Sequence, residues 1–146
     1  MKFRVLFLCA CNGVQSPMAE ALLNGLDSKH FDAISAGIDS GQVHPLTVEV
    51  MKDIGIDLKG KITQTIQDIM DRRFDFVITL CERARLECPA LPQAELVHWQ
   101  FEDQLGVVDD AQRKRVFQSI RDQIAQRVRL FALVQVRFAP VQTYAH

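Results

Sequence analysis

Apolar side chains run almost unbroken through Phe3-Arg4-Val5-Leu6-Phe7-Leu8-Cys9. That continuity predicts a strand buried on both faces. Residues 9–16 lack helical period and include Gly13, after which Pro17-Met18-Ala19-Glu20-Ala21-Leu22-Leu23 reads as helix. Ser16 is its expected N-cap and Pro17 its first helical residue. Residues 31–35 form a short second strand candidate. A helix is expected over 45–54, with Val48, Met51 and Ile54 on its apolar stripe and Gly55 as its stop. A short helix over 66–70 precedes the clearest strand, residues 74–80, which ends beside Cys81. Residues 95–98 give a fourth strand. From about Asp109, the recurrence of Phe117, Ile120, Ile124, Val128 and Phe131 at intervals of three and four marks a long amphipathic helix. Residues 134–146 show no clear period up to Pro140, so they are set apart as a C-terminal extension to a core of residues 1–133.

Strands alternating with helices predict an α/β domain, a three-layer sandwich with a four-stranded parallel sheet flanked by helices. Ligands of such sheets bind at the carboxyl ends of the strands, where Cys9 and Cys81 both fall. A length of 146 residues fits a single domain over 1–146, and 48% hydrophobic with 24% charged residues excludes disordered, collagen-like and coiled-coil classes. Seventeen Lys and Arg against 18 Asp and Glu leave a net charge of -1 with no basic block. Neither a nucleic-acid groove nor a membrane patch is expected. The N-terminal apolar run is too short for a signal peptide or a membrane span, so a cytoplasmic location is expected. Without export, Cys9, Cys11, Cys81 and Cys88 point to catalysis, redox chemistry or metal rather than a disulfide framework.

A loop between a strand end and a helix N-terminus collects backbone N–H groups and the positive end of the helix dipole, which together suit a tetrahedral oxyanion. The same field favours the thiolate of Cys9 and makes it a nucleophile. On spacing alone, an inert cysteine at a strand end and a Cys9/Cys11 metal pair stand beside that reading.

The run Cys9-Ala10-Cys11-Asn12-Gly13-Val14-Gln15-Ser16-Pro17 resembles the C-x5-R-S loop of low-molecular-weight protein tyrosine phosphatases and of the thioredoxin-coupled arsenate reductases that share their fold. Ser35-Ala36-Gly37, Thr79-Leu80-Cys81, Cys88-Pro89 and His98-Trp99-Gln100-Phe101-Glu102-Asp103 extend the resemblance over roughly residues 3–130. It implies a low-molecular-weight phosphatase-like fold, with Cys9 attacking arsenate, Cys81 attacking Cys9 to release arsenite, and Cys88 resolving the disulfide for reduction by thioredoxin. Asp103 matches the general acid. The backbone of Ala10, Cys11, Asn12, Gly13, Val14, Gln15 and Ser16 would hold a small oxyanion: arsenate, phosphate or sulfate. Asn12, Glu20 and Ser35 match residues that support the loop and, in some reductases, line a potassium site; no other metal and no bound cofactor is expected. Cys11 matches no family cysteine and reads as a small loop filler. His98 and His44 read as structural, His44 at a helix entry.

Cys81 and Cys88 flank Glu82-Arg83-Ala84-Arg85-Leu86-Glu87, a good helix sequence. Across a helix their Cα atoms would lie about 10.5 Å apart at 1.5 Å per residue, whereas a disulfide needs roughly 4.4–6.8 Å. Joining them requires the helix to melt, which would make the segment a redox-gated switch, ordered when reduced and looped when oxidised. Unlinked cysteines at the ends of a surface helix are the plainer reading of the pair alone, and Cys9 on the neighbouring loop favours the switch.

Gln15 stands where the family carries arginine. It offers neutral amide donors in place of a charged fork, and loss of one transition-state donor costs on the order of 100-fold to 1000-fold in rate. Arg83 or Arg85 could lend a cation, the substrate could carry less charge, or the protein could be a non-catalytic thiol redox sensor or oxyanion-binding module. Gln64, near a position often acidic in related reductases, is also altered. A phosphatase working through a cysteinyl-phosphate is the other enzymatic alternative, but Asp103 is followed by Gln104-Leu105-Gly106 rather than proline and aromatic residues.

Overall fold

The computed structural model describes residues 2–101 and 109–137. Its elements run β1 (Phe3–Cys9), α1 (Gln15–Asp27), β2 (Phe31–Gly37), α2 (Pro45–Lys52), a 3₁₀ turn (Ile66–Ile69), β3 (Phe76–Thr79), α3 (Glu82–Glu87), β4 (Glu95–His98) and α4 (Asp110–Arg137). The four strands form one parallel sheet in the order β2-β1-β3-β4.

Two-residue periodicity explains why β1 is apolar throughout. Val5, Phe7 and Cys9 enter a core with Met18 and Leu23 of α1 and Phe117, Ile120, Ile124 and Val128 of α4. Leu6 and Leu8 enter a second core with Ala36, Ile66, Ile69, Val77 and Ala84. Helices α1, α2 and α4 pack together over the first face, while the thin second cover is the 3₁₀ turn and α3. This is the expected three-layer α/β sandwich. The edge strand β4 is less enclosed, and Leu96 is exposed.

Several boundaries differ from expectation. Helix α1 starts at Gln15, so Ser16 lies inside it and Pro17 occupies the first turn, where a missing N–H breaks no helical bond. Helix α2 ends at Lys52 because the bonding then shortens, Ile54 N–H donating to Met51 O at 3.1 Å. It buries Thr47, Val50 and Met51 rather than Val48, Met51 and Ile54; Ile54 is exposed. The segment at Ile66 is a 3₁₀ turn, its capping box closed by Thr65 and Asp68. Helix α4 continues past the expected 133 boundary to Arg137, burying Ala132, while half-buried Phe131 packs its ring against Phe31, Phe76 and Trp99.

A candidate thiol site at the carboxyl end of the sheet

Strand β1 delivers Cys9 at its last position, buried, opposite Gly37 of β2. On the other side Leu8 is paired with Thr79 of β3, and Leu80 N–H donates to Leu8 O at 2.9 Å. Adjacent parallel strands thus set Cys9 and Cys81 at the same end of the sheet. Cys81 packs against both cores.

Between Cys9 and α1 the chain turns at Asn12, whose φ of +56° is a left-handed conformation that asparagine tolerates. Its side chain is buried and fully used. Nδ2 donates to Ser35 O at 3.3 Å and Gln64 O at 3.4 Å, and Oδ1 accepts from Ser16 Oγ at 3.0 Å. Ser16 Oγ also lies 2.8 Å from Cys9 Sγ, a contact in which either atom can donate. The residue expected to cap α1 therefore serves the cysteine. No side chain caps α1, which leaves its leading N–H groups for an anion in the loop. Gly13 O accepts from His44 N–H at 2.9 Å and Thr47 Oγ at 3.1 Å, tying the loop to the entry of α2.

A second wall comes from residues 37–43. Ile38 N–H donates to Cys9 O at 3.0 Å and Asp39 N–H to Ala10 O at 2.8 Å. A Cβ on Gly37 would lie 2.7 Å from Cys11 C and 2.8 Å from Asn12 N, and one on Gly41 2.6 Å from Cys11 O. Only glycine permits this close approach. Cys11 itself is exposed.

Behind the loop, Ser35 Oγ donates to Glu20 Oε1 at 3.1 Å, and Glu20 Oε2 is ion-paired with the Lys61 ammonium. Gln64 Nε2 donates to Ser35 O at 3.0 Å. The residues considered for potassium, Asn12, Glu20 and Ser35, are therefore already engaged, and the only carboxylate among them holds a resident cation. They do not fit a further monovalent cation. No group of three or more His, Cys, Asp or Glu side chains among the described residues could hold a metal ion. Lys61 was missed in the sequence because it lies in an irregular stretch between α2 and the 3₁₀ turn, where no period or spacing points inward.

Cys81 is the N-cap of α3, its Sγ accepting from Ala84 N–H at 3.4 Å, and Cys88 is the C-cap. Cys88 is half-buried, its thiol donates to Pro89 O at 3.4 Å, and burial pushes its pKa up. Arg83 and Arg85, the candidate lenders of charge, are both committed to carboxylates. Arg83 bridges Asp39 at 2.7 Å and Glu87 at 2.8 Å, while Arg85 pairs with Glu82. Gln15 lies half-buried in the first turn of α1.

His98 is held on both ring nitrogens, 2.7 Å from Thr79 Oγ1 and 2.9 Å from Gln100 Oε1, and His44 Nδ1 accepts from Leu46 N–H at the start of α2. Trp99 is buried against Phe7 and Phe131 with the Arg127 guanidinium 5.6 Å from its ring, which anchors the chain leaving β4. Asp103, the expected general acid, lies outside the described residues.

The chain is similar to known proteins over most of its length. The chain is 38% identical over 130 residues to an arsenate reductase from Halalkalibacterium halodurans, covering 88% of this chain and 94% of that one. A solved arsenate reductase in the phosphate binding state is similar with a TM-score of 0.73 at 31% identity, over 90% of this chain and 96% of that chain. The thioredoxin-dependent arsenate reductase of Corynebacterium glutamicum is similar with a TM-score of 0.71 at 27% identity, over 93% of this chain and 63% of that chain. With residues 4–139 matching the low molecular weight phosphotyrosine protein phosphatase family, the chain that builds this thiol site belongs to that family of enzymes.

Proposed function

We propose that this chain is an arsenate reductase working through Cys9, Cys81 and Cys88 and regenerated by thioredoxin. The observation that carries the reading is the placement of two further cysteines at either end of α3, with Cys81 at the strand end adjacent to that of Cys9. The Cys9 thiolate attacks arsenic, the bond from arsenic to one arsenate hydroxyl breaks, and that hydroxyl leaves as water with a proton from Asp103. Cys81 then attacks the Cys9 sulfur, the electron pair of the arsenic–sulfur bond passes to arsenic, and arsenite departs. Cys88 displaces Cys9 from Cys81, and thioredoxin reduces the Cys81–Cys88 disulfide. The raised pKa of Cys88 suits this order, because a resolving thiol held protonated does not compete for the first bond.

The charge that arsenate brings is met by the loop amides, the α1 dipole and Gln15. Arg83, Arg85 and Lys61 are neutralised by their own carboxylates, so oxyanion loading is the weak step. The Lys61–Glu20 pair supports the loop from behind, and turnover is independent of potassium. Gln15 also favours a second reading in which the thiols respond to oxidants without turning over an oxyanion. Arsenate-dependent oxidation of thioredoxin, followed through NADPH and thioredoxin reductase, separates the two. The protein turns over and Cys9→Ser does not; activity that survives in Cys9→Ser, or is absent from the native chain, sinks the reductase reading.

A further inference from the structure

The switch helix α3 has little holding it. It is six residues long, buries only Ala84, and is capped at its start by the very sulfur that must later react. Exposed Leu86 adds no packing. Its one described ion pair to another part of the chain is Arg83 to Asp39, 2.7 Å. Asp39 is not an arbitrary surface acid: its N–H donates to Ala10 O, and the neighbouring Ile38 N–H donates to Cys9 O. Arg83 thus spans from the segment that must unwind to the wall of the nucleophile loop, while its Nε holds Glu87 one turn on.

We propose that Arg83 and Asp39 form a latch that keeps α3 wound in the dithiol protein and must open before Cys81 and Cys88 can join. The inference rests on the reading of those two cysteines as a relay pair. Helical geometry keeps their Cα atoms about 10.5 Å apart, beyond the roughly 4.4–6.8 Å of a disulfide, so the bond cannot form while Arg83 is held at both of its partners. The two carboxylates keep its guanidinium charged, and Arg83 in turn holds the Asp39 carboxyl below its usual range. Arg83 and Asp39 are positioning residues here: they set how readily the thiols meet and touch no substrate.

A protein carrying Cys9→Ser and Cys11→Ser leaves Cys81 and Cys88 as its thiols. Equilibrated with oxidised and reduced dithiothreitol, its Cys81 thiolate displaces one sulfur of the cyclic disulfide and Cys88 displaces the other. Two protein thiols become a disulfide, and dithiothreitol takes up the two electrons and two protons. Acid quenching, alkylation and mass measurement give the equilibrium constant. Adding Asp39→Asn, which leaves the Arg83–Glu87 pair within α3, is expected to raise the constant for oxidation about two- to fivefold at low ionic strength, the range of an exposed ion pair. Unchanged thermal unfolding of the reduced form keeps the comparison clean. Equal constants with and without Asp39→Asn overturn the latch while leaving the relay reading intact. Failure of Cys81 and Cys88 to form a disulfide in either protein overturns both.

Discussion

Restoring the missing charge is the sharpest test of how this site handles an oxyanion. Gln15 opens α1, one residue before the serine that contacts the Cys9 sulfur, so its side chain leaves the helix at the loop. The nearby cations identified from the structure are all matched: Lys61 by Glu20, Arg83 by Asp39 and Glu87, Arg85 by Glu82. In the proposed reaction the loop therefore meets its anion with neutral donors. A charge-assisted donor pair is about twice as strong as a neutral one, and one transition-state donor of the oxyanion-hole kind is worth about 2.7–4 kcal/mol, or 100-fold to 1000-fold. Gln15→Arg should then raise kcat/KM for arsenate by about two to three orders of magnitude, with much of the gain in kcat because charge builds as the oxygen leaves. The assay is thioredoxin-coupled NADPH consumption over a range of arsenate concentrations, beside thermal unfolding to show that the variant folds. Equal kcat/KM in the two proteins would refute the argument and mean that the loop amides and helix dipole alone meet the charge.

Two further outcomes follow from the same structure. Lys61→Met leaves the Glu20 carboxylate, 11% exposed, with only Ser35 as partner, and should cost about 1–3 kcal/mol in urea unfolding. Exchanging sodium for potassium should leave the native chain's stability unchanged and restore part of the loss in the variant; a potassium-sensitive native chain counts against the Lys61 assignment. Burial raises the Cys88 pKa, so its thiolate fraction, and with it alkylation by iodoacetamide, should climb at a pH above that of an ordinary thiol, about 8.5. Peptide-resolved alkylation rates that track a free cysteine would contradict that environment.

The sheet was legible because its central strands β1 and β3 are apolar on both faces, which leaves few other placements for residues 3–9 and for the strand expected over 74–80, observed at Phe76–Thr79. The placement of Cys9 and Cys81 at carboxyl strand ends followed from that alone, whereas the pairing of β1 with β3 that makes them neighbours came from the structure. What escaped the sequence were contacts made by irregular segments. Ser16 has the composition and spacing of an N-cap, yet the left-handed turn at Asn12 brings the amide oxygen into reach and turns the hydroxyl toward Cys9. Asp39 and Lys61 sit in stretches with no period, so their roles depend on how loops 37–43 and 60–64 fold back on the site. The α2 stripe was misjudged by one residue because Thr47, a polar residue, is buried to bond Gly13 O, and burial of a polar group is decided by its partner rather than by hydropathy.

Gln15 and the three cysteines act on separable parts of the proposed chemistry. In that chemistry the first bond, sulfur to arsenic, forms against a full oxyanion charge, and the second step returns an electron pair to arsenic as arsenite leaves the loop; only the third step exchanges sulfur for sulfur and places no new charge there. A missing arginine therefore weakens the loading of arsenate and the release of arsenite, and leaves the transfer of the disulfide from Cys9–Cys81 to Cys81–Cys88 governed by thiolate supply and by the unwinding of α3. Those two controls rest on groups the structure does provide: Ser16 and the open N-terminus of α1 at Cys9, the buried thiol at Cys88, and a short helix with one buried residue between the second and third sulfurs. A weak oxyanion site can thus coexist with a competent thiol relay.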